Sequence, residues 1–377
     1  MSATSSASRN VPFIDLSPMH GPLKAAIVDD LTRLVDTGAF INGPEVAQFE
    51  TDFAAYCSTT HCVGVASGLD ALRLALLAGG IEPGDEVILP ANTFAATIEA
   101  VVQARATPVL VDASVTDYNI DVDAATDAVS ERTRFILPVH LYGQLADMRR
   151  LQAVCKASGI GLIEDACQAH GAMRDGLRAG AGGLAAAFSF YPAKNLGAFG
   201  DAGALVTNDS AFAARVRALR EHGQLEKYRH EFEGYTARLD TVQAVVLLHK
   251  LPLLDSWNEA RRAARAFYDE ALEGVGDLIP PPTAPRSLPV WHLYVTRTHH
   301  RDALGDFLAA RSISTGRHYP EPIHLSSAFS HLGYSEGTFP VSEALASELI
   351  SLPIFPGITE QQMTLVAEGI RDFFEHG

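Results

Sequence analysis

Seven short runs of apolar and β-branched residues, spaced through the first two thirds of the chain with helical stretches between them, constrain the fold more than any other feature. They are Cys62 to Val65, Glu86 to Leu89, Pro108 to Asp112, Phe135 to Val139, Ile160 to Glu164, Ala186 to Phe190 and Ala204 to Thr207. Most are too continuously apolar to leave one face wet, which suits a parallel sheet better than an alternating antiparallel one. The pattern predicts an α/β fold: a large domain with a mainly parallel sheet, covered on both faces by helices such as Asp70 to Ala78.

Downstream, a long helical stretch from Leu251 to Leu272 runs into a cluster of prolines, Pro280, Pro281, Pro282, Pro285 and Pro289, which marks a boundary loop. A strand (Val290 to Arg297), a helix (Arg301 to Arg311), a loop rich in His and Pro, and helices at Ser342 to Ile350 and Thr359 to Phe374 then predict a smaller α+β domain. The expected division is a large domain over residues 1–253 and a small C-terminal domain over 254–377.

At 377 residues and 47% apolar, the chain can bury a large core. No run approaches the eighteen apolar residues of a membrane span, and Met1 to Asn10 is polar, serine-rich and without the apolar stretch of a signal peptide. A soluble, cytoplasmic protein is expected. Four cysteines (Cys57, Cys62, Cys155, Cys167) form no Cys-x-x-Cys pair and read as reduced thiols. Metal binding is not expected, because no His or Cys cluster has zinc spacing. A net charge of −16 weighs against nucleic acid or anionic membrane as partners. Against that balance, Arg215, Arg217, Arg220, His222, Lys227, Arg229, His230 and Arg238 gather in one stretch. It reads equally as a site for a phosphorylated ligand or as a solvated helix face ending in an exposed loop.

Ligands of open parallel sheets gather where the strands end, and several reactive residues fall at such ends. Lys194 sits in Ser189-Phe190-Tyr191-Pro192-Ala193-Lys194-Asn195-Leu196-Gly197, with small, aromatic and turn-forming neighbours in place of other charges. A desolvated lysine loses proton affinity and can attack a carbonyl to form a Schiff base; the alternative is a surface lysine whose stem lies over apolar neighbours. The run Ile160 to Ile163 ends in Glu164-Asp165, with Gln168 and His170 following. Asp165 can face a ligand or simply cap the next helix. In Val65-Ala66-Ser67-Gly68-Leu69-Asp70 a strand turns into a helix whose first amides are free for a phosphate, with Ser67 and Ser189 as further donors, although such turns also occur without a ligand. Phe94, after another strand end, can stack on a planar ring or belong to the core. His140 can contact a ligand or be a satisfied core histidine. Arg317-His318-Tyr319-Pro320-Glu321-Pro322-Ile323-His324 puts two histidines on a proline-stiffened loop, a wall for substrate or an ordinary surface loop.

Taken in order, Pro12 to Leu16, Gly68-Leu69-Asp70-Ala71-Leu72, Pro90-Ala91-Asn92-Thr93-Phe94, Glu164-Asp165-Ala166-Cys167-Gln168 and Phe188 to Gly203 resemble the DegT/DnrJ/StrS family of sugar aminotransferases over nearly the whole chain. That resemblance implies a fold-type-I enzyme with pyridoxal 5′-phosphate. In it Lys194 carries the cofactor, Asp165 faces the pyridine nitrogen and Gln168 the phenolic oxygen. Phe94 stacks on the ring, while Ser67, Gly68, Leu69 and Ser189 hold the phosphate. Relatives in which histidine replaces the lysine are dehydratases, so Lys194 points to transamination. Gly68-Leu69-Asp70-Ala71-Leu72, with Val290-Trp291-His292-Leu293-Tyr294 and His318-Tyr319-Pro320, is similar to the subgroup that aminates C3 of nucleotide-linked 3-keto-6-deoxyhexoses with glutamate. The candidate substrate contacts are His140, Tyr191, His318, Tyr319 and His324, together with Arg220, Lys227 and Arg229 of the basic stretch. Thr236 stands where relatives have an asparagine that reaches the partner subunit's cofactor phosphate, which implies a homodimer with shared sites. C4 amination, dehydration, or a silent regulatory protein on the same fold are the alternatives.

Overall fold

Each of the seven runs forms a strand: β1 His61–Val65, β2 Glu86–Pro90, β3 Thr107–Val111, β4 Thr133–Ile136, β5 Gly161–Asp165, β6 Ala185–Ser189 and β7 Gly203–Thr207. The computed structural model describes residues 10–376, so the serine-rich start lies outside the described residues except for Asn10. The strands join one sheet in the order β1-β7-β6-β5-β4-β2-β3. From β2 to β6 they are parallel, and β7 is antiparallel to both its neighbours.

Successive residues of a strand point into different cores. Ile88, Ile136, Leu162 and Phe188 pack with Phe49 and Phe53 on one face, while Val87, Leu89, Ile163 and Leu205 pack with Leu72 and Ile98 on the other. Both faces are dry, which is why the sequence shows no alternation. Strand β4 stops at Ile136, short of the expected Val139, because Pro138 has no N–H to give the ladder. Its flanks still pair singly: Leu137 N donates to Ile88 O at 2.7 Å, and Val139 bridges Asp165.

The C-terminal third departs further from expectation. Only Tyr294–Arg297 of the run starting at Val290 is a strand, Trp291 being held at a φ of 41°. The helix expected to reach Ile350 ends at Glu348, and Leu349–Leu352 forms a strand antiparallel to Tyr294–Arg297. All four of its residues are buried, which a strand covered on both faces permits. A third cluster joins Tyr268, Tyr294, Leu304, Leu352 and Ile370 to Val11, whose backbone runs beside Ile313. We propose a domain division at Leu253 and Leu254, with Val11 packing back across it.

Candidate active site

Strands β1, β5 and β6 all end at one edge of the sheet, and a cavity of about 630 Å³ opens there. Ser67, Gly68 and Leu69 reach it from the end of β1, Asp165 and Gln168 from β5, and Ser189, Tyr191 and Lys194 from β6; His318 and Tyr319 close it from the small domain.

Ser67 is the N-cap of helix Gly68–Ala78, its Oγ accepting from Asp70 N and donating to Asp70 Oδ2, both at 3.0 Å. The free amides of that first turn face the cavity end of the helix, where the dipole favours an anion. Only glycine fits at position 68: a Cβ there would lie 2.7 Å from both Cys167 Sγ and Ser189 Cβ. That close approach brings the helix start against the ends of β5 and β6.

Asp165 is 5% exposed, and both its oxygens have donors. Thr97 Oγ1 donates to Oδ2 at 2.8 Å and Cys167 N to Oδ1 at 3.1 Å. The chain forms a turn after Asp165, so the capping alternative does not apply; the carboxylate faces the cavity. Gln168 is oriented by its neighbours, Oε1 accepting from Tyr142 N at 2.7 Å and Nε2 donating to the Tyr319 hydroxyl at 3.1 Å. Burial raises the Tyr319 phenol well above the usual tyrosine value and holds His318 down to about 4. Phe94, 53% exposed, lies 5.3 Å from the Tyr319 ring.

Desolvation lowers the pKa of Lys194 from the usual lysine value, an effect partly opposed by Cys167 and Asp165. Its loop is pinned on both sides. Ala198 N donates to Phe190 O at 2.7 Å, and the buried Lys250 donates to Gly197 O at 2.6 Å.

Other expected residues lie elsewhere. His140 is fully buried beside the cavity: Nδ1 accepts from Ala146 N at 3.2 Å, so Nε2 donates to Glu164 at 2.8 Å, and no nitrogen remains for a substrate. His324 is buried against Phe339 and bonded to Glu343 at 3.0 Å, away from the cavity. Arg220 binds Glu50 and the Gly64 carbonyl, each at 2.5 Å, and is a strut of the sheet edge instead of a substrate contact. Lys227 and Arg229 are exposed on the hairpin Gln224–Glu226/Arg229–His230, and Arg229 pairs with Glu231 at 2.7 Å. Thr236 lines a smaller cavity of about 310 Å³ that shares Asp201 with the first. Conversely, Thr97, Asp201, His292 and Ile354 line the main cavity without having been expected there. His292 and Asp201 carried a signal, within the quoted stretches Val290 to Tyr294 and Phe188 to Gly203; Thr97 and Ile354 carried none.

An amine whose proton affinity burial lowers, a buried acid lining the same cavity and a helix N-terminus fitted against the ends of β5 and β6 match an aldehyde, a pyridine nitrogen and a phosphate. On this sheet they define a pyridoxal-phosphate enzyme of fold type I. Among the described residues no group of His, Cys, Asp and Glu could hold a metal ion, and no helix is long and apolar enough to cross a membrane.

The model of the DegT/DnrJ/EryC1/StrS aminotransferase family matches residues 22–371, and the chain belongs to that family, whose enzymes depend on pyridoxal phosphate. It is 47% identical to the dTDP-3-amino-3,4,6-trideoxy-α-D-glucose transaminase of Streptomyces venezuelae, over 97% of this chain and 96% of the relative. It is 42% identical to the dTDP-3-amino-3,6-dideoxy-α-D-galactopyranose transaminase of Aneurinibacillus thermoaerophilus, over 96% and 99% of the two chains. The crystal structure of S. venezuelae DesV with a ketimine intermediate superposes with a TM-score of 0.96 at 46% identity, covering 98% of this chain and 99% of that one. The protein is thus an aminotransferase.

Proposed function

We propose that the enzyme moves the amino group of L-glutamate to C3 of a dTDP-linked 3-keto-6-deoxyhexose, giving a dTDP-3-amino-3,6-dideoxyhexose. The observation that carries this reading is the desolvated Lys194 facing Asp165 in one cavity, in a chain of this family. Pyridoxal phosphate, when bound, supplies an aldehyde to carry the amino group and a ring that takes up electron density from the carbon losing its proton.

The chain's own residues do the rest. Lys194 would hold the cofactor's aldehyde until the amino donor takes its place; its freed amine then takes the proton from the donor's Cα and would pass it to the former aldehyde carbon, which keeps the nitrogen. Asp165, fixed by Thr97 Oγ1 and Cys167 N, faces the pyridine nitrogen and steadies its positive charge. The first turn of helix Gly68–Ala78 binds the phosphate, joined by the Ser189 hydroxyl. Tyr191, His318 and Tyr319 form the substrate wall, with Phe94 over the ring. 2-Oxoglutarate leaves before the ketosugar enters, and the same groups run the proton back while the sugar's carbonyl oxygen departs as water.

Thr236 and the exposed hairpin bearing Lys227 and Arg229 have no target in their own cavity, so we propose that they serve the partner's in a homodimer. Exposed Phe40, Ile41, Leu225 and Tyr228 support such an interface. We also place the enzyme in the cytoplasm with its nucleotide-sugar substrate. The deciding experiment incubates the protein with pyridoxal phosphate, glutamate and dTDP-ketosugars and identifies products by mass and NMR. A 4-amino product, or none from any 3-keto sugar, overturns the reading.

A further inference from the structure

Asn195, the residue after Lys194, is 2% exposed and fixed in orientation. Its Nδ2 lies 2.9 Å from the Val290 carbonyl and 2.9 Å from Asn258 Oδ1, and Asn258 Nδ2 in turn donates to the His170 carbonyl at 2.9 Å. A carbonyl oxygen only accepts, so the atom facing Val290 is the amide NH₂. The Oδ1 of Asn195 must therefore point the other way, where His292 Nδ1 stands at 3.2 Å. That oxygen cannot donate. The proton of the imidazole is on Nδ1, and in the neutral ring Nε2 is a bare lone pair.

The ring stays neutral. Burial lowers the His292 pKa well below the usual histidine value, and the charges of Lys194 and Arg261 push the same way. Among the described residues Nε2 has no hydrogen-bond partner, and the ring lines the main cavity beside Lys194 and His318.

We propose that His292 is a substrate-reading residue: the Asn258-Asn195 amide chain fixes its tautomer so that Nε2 accepts a hydrogen bond from a hydroxyl of the sugar. This rests on the proposed function. The cofactor's polar groups are matched by the helix start, Asp165, Gln168 and Lys194, which leaves the small-domain wall to the substrates. Of the two that use the cavity in turn, glutamate offers carboxylates, whose lone pairs repel Nε2. A sugar hydroxyl brings a proton. An unprotonated acceptor at this place therefore favours the second substrate without holding the first.

The test uses the holoenzyme and two variants. His292→Phe keeps a ring without the lone pair, and His292→Gln restores an acceptor near the Nε2 position. Calorimetry measures binding of the dTDP-3-amino-3,6-dideoxyhexose and of dTDP alone, while 2-oxoglutarate release reports the glutamate half-reaction. His292→Phe should weaken the amino-sugar nucleotide about fivefold to tenfold, with dTDP and the half-reaction within about twofold, and His292→Gln should recover most of the loss. NMR of ¹⁵N-histidine enzyme should show a protonated Nδ1 and an unprotonated Nε2 for His292, assigned by its loss in the variants. Unchanged sugar binding in His292→Phe, equal weakening of dTDP, or a proton on Nε2 overturns the inference. A wild-type enzyme that releases 2-oxoglutarate yet binds no dTDP-amino sugar refutes the substrate reading as well, and is told apart because the tautomer is read without any ligand.

Discussion

Replacing Gly68 by alanine puts a methyl carbon 2.7 Å from Cys167 Sγ and 2.7 Å from Ser189 Cβ, about 0.7 Å inside ordinary contact. Neither neighbour can yield. The Cys167 thiol is directed at Ala187 O, 3.7 Å away, and Ser189 belongs to β6, with its Cα only 3.3 Å from the new carbon. Overpacking of this kind costs about 1–3 kcal/mol, and moving the first turn of helix Gly68–Ala78 outward is the way to relieve it. A shift of about 0.7 Å stretches an N–H bond to phosphate beyond useful length. Each such bond to an anion is worth about 1.5–3 kcal/mol, so losing one weakens cofactor affinity about tenfold to a hundredfold. The assay is absorbance titration of the apoenzyme with pyridoxal phosphate, with thermal unfolding alongside. Gly21→Ala is the control: nothing lies within 4 Å of its added carbon and its φ is negative, so affinity should hold and stability should stay level or rise slightly. A Gly68→Ala apoenzyme that binds the cofactor within twofold of wild type refutes the reasoning.

Lys194→Ala should lower kcat by about a thousandfold or more and abolish the visible absorbance of a lysine-linked cofactor; normal turnover would remove Lys194 from the mechanism. Glu164 accepts from Gly180, Gly182 and Gly183 N at 3.0, 2.8 and 2.7 Å as well as from His140, so Glu164→Gln turns an amide donor onto donors. Denaturant titration should show a loss of about 3–5 kcal/mol, and a loss under about 1 would mean that the cage reorganises. Stability should also fall with pH. Burial holds His170 down to about 3 and His318 to about 4, so between the unfolded value of 6.5 and those values only the unfolded chain takes up protons. The stability present above pH 6.5 is therefore lost as pH drops toward 4, by about 3 kcal/mol for each group at most. His170→Leu should flatten that slope in urea titrations across pH 7 to 4, and an unchanged slope would place the proton uptake elsewhere.

The parts of this protein legible in its sequence are those where one local pattern forces one structure. A strand buried on both faces must be mostly apolar, and most of the seven runs meet that demand. Lys194, Asp165 and Gln168 stood at strand ends and reached the cavity. What the sequence hid depends on partners distant along the chain. Nothing near His140 announced that Glu164 and Ala146 would use both its nitrogens, and nothing near Arg220 announced Glu50. Thr97 reaches Asp165 from the helix Ala95–Gln103, which carries no motif of its own. Leu349 and Ile350, the first half of the strand Leu349–Leu352, were expected to end a helix because their apolar side chains continue its pattern, while the strand's ladder partner lies over fifty residues earlier at Tyr294–Arg297. The helix Lys24–Thr37 went unread, its apolar stripe being narrow, with only Ile27 and Leu34 buried.

Strand β1 touches the sheet only through β7, its sole ladder partner. The strand that leads into the turn at Ser67 and Gly68 is therefore joined to the sheet only where Gly203–Thr207 is slotted between β1 and β6. Capture of the vitamin thus depends on a pairing between segments far apart in the chain, and the yellow colour it brings marks a molecule in which β1 has been joined to the sheet through β7.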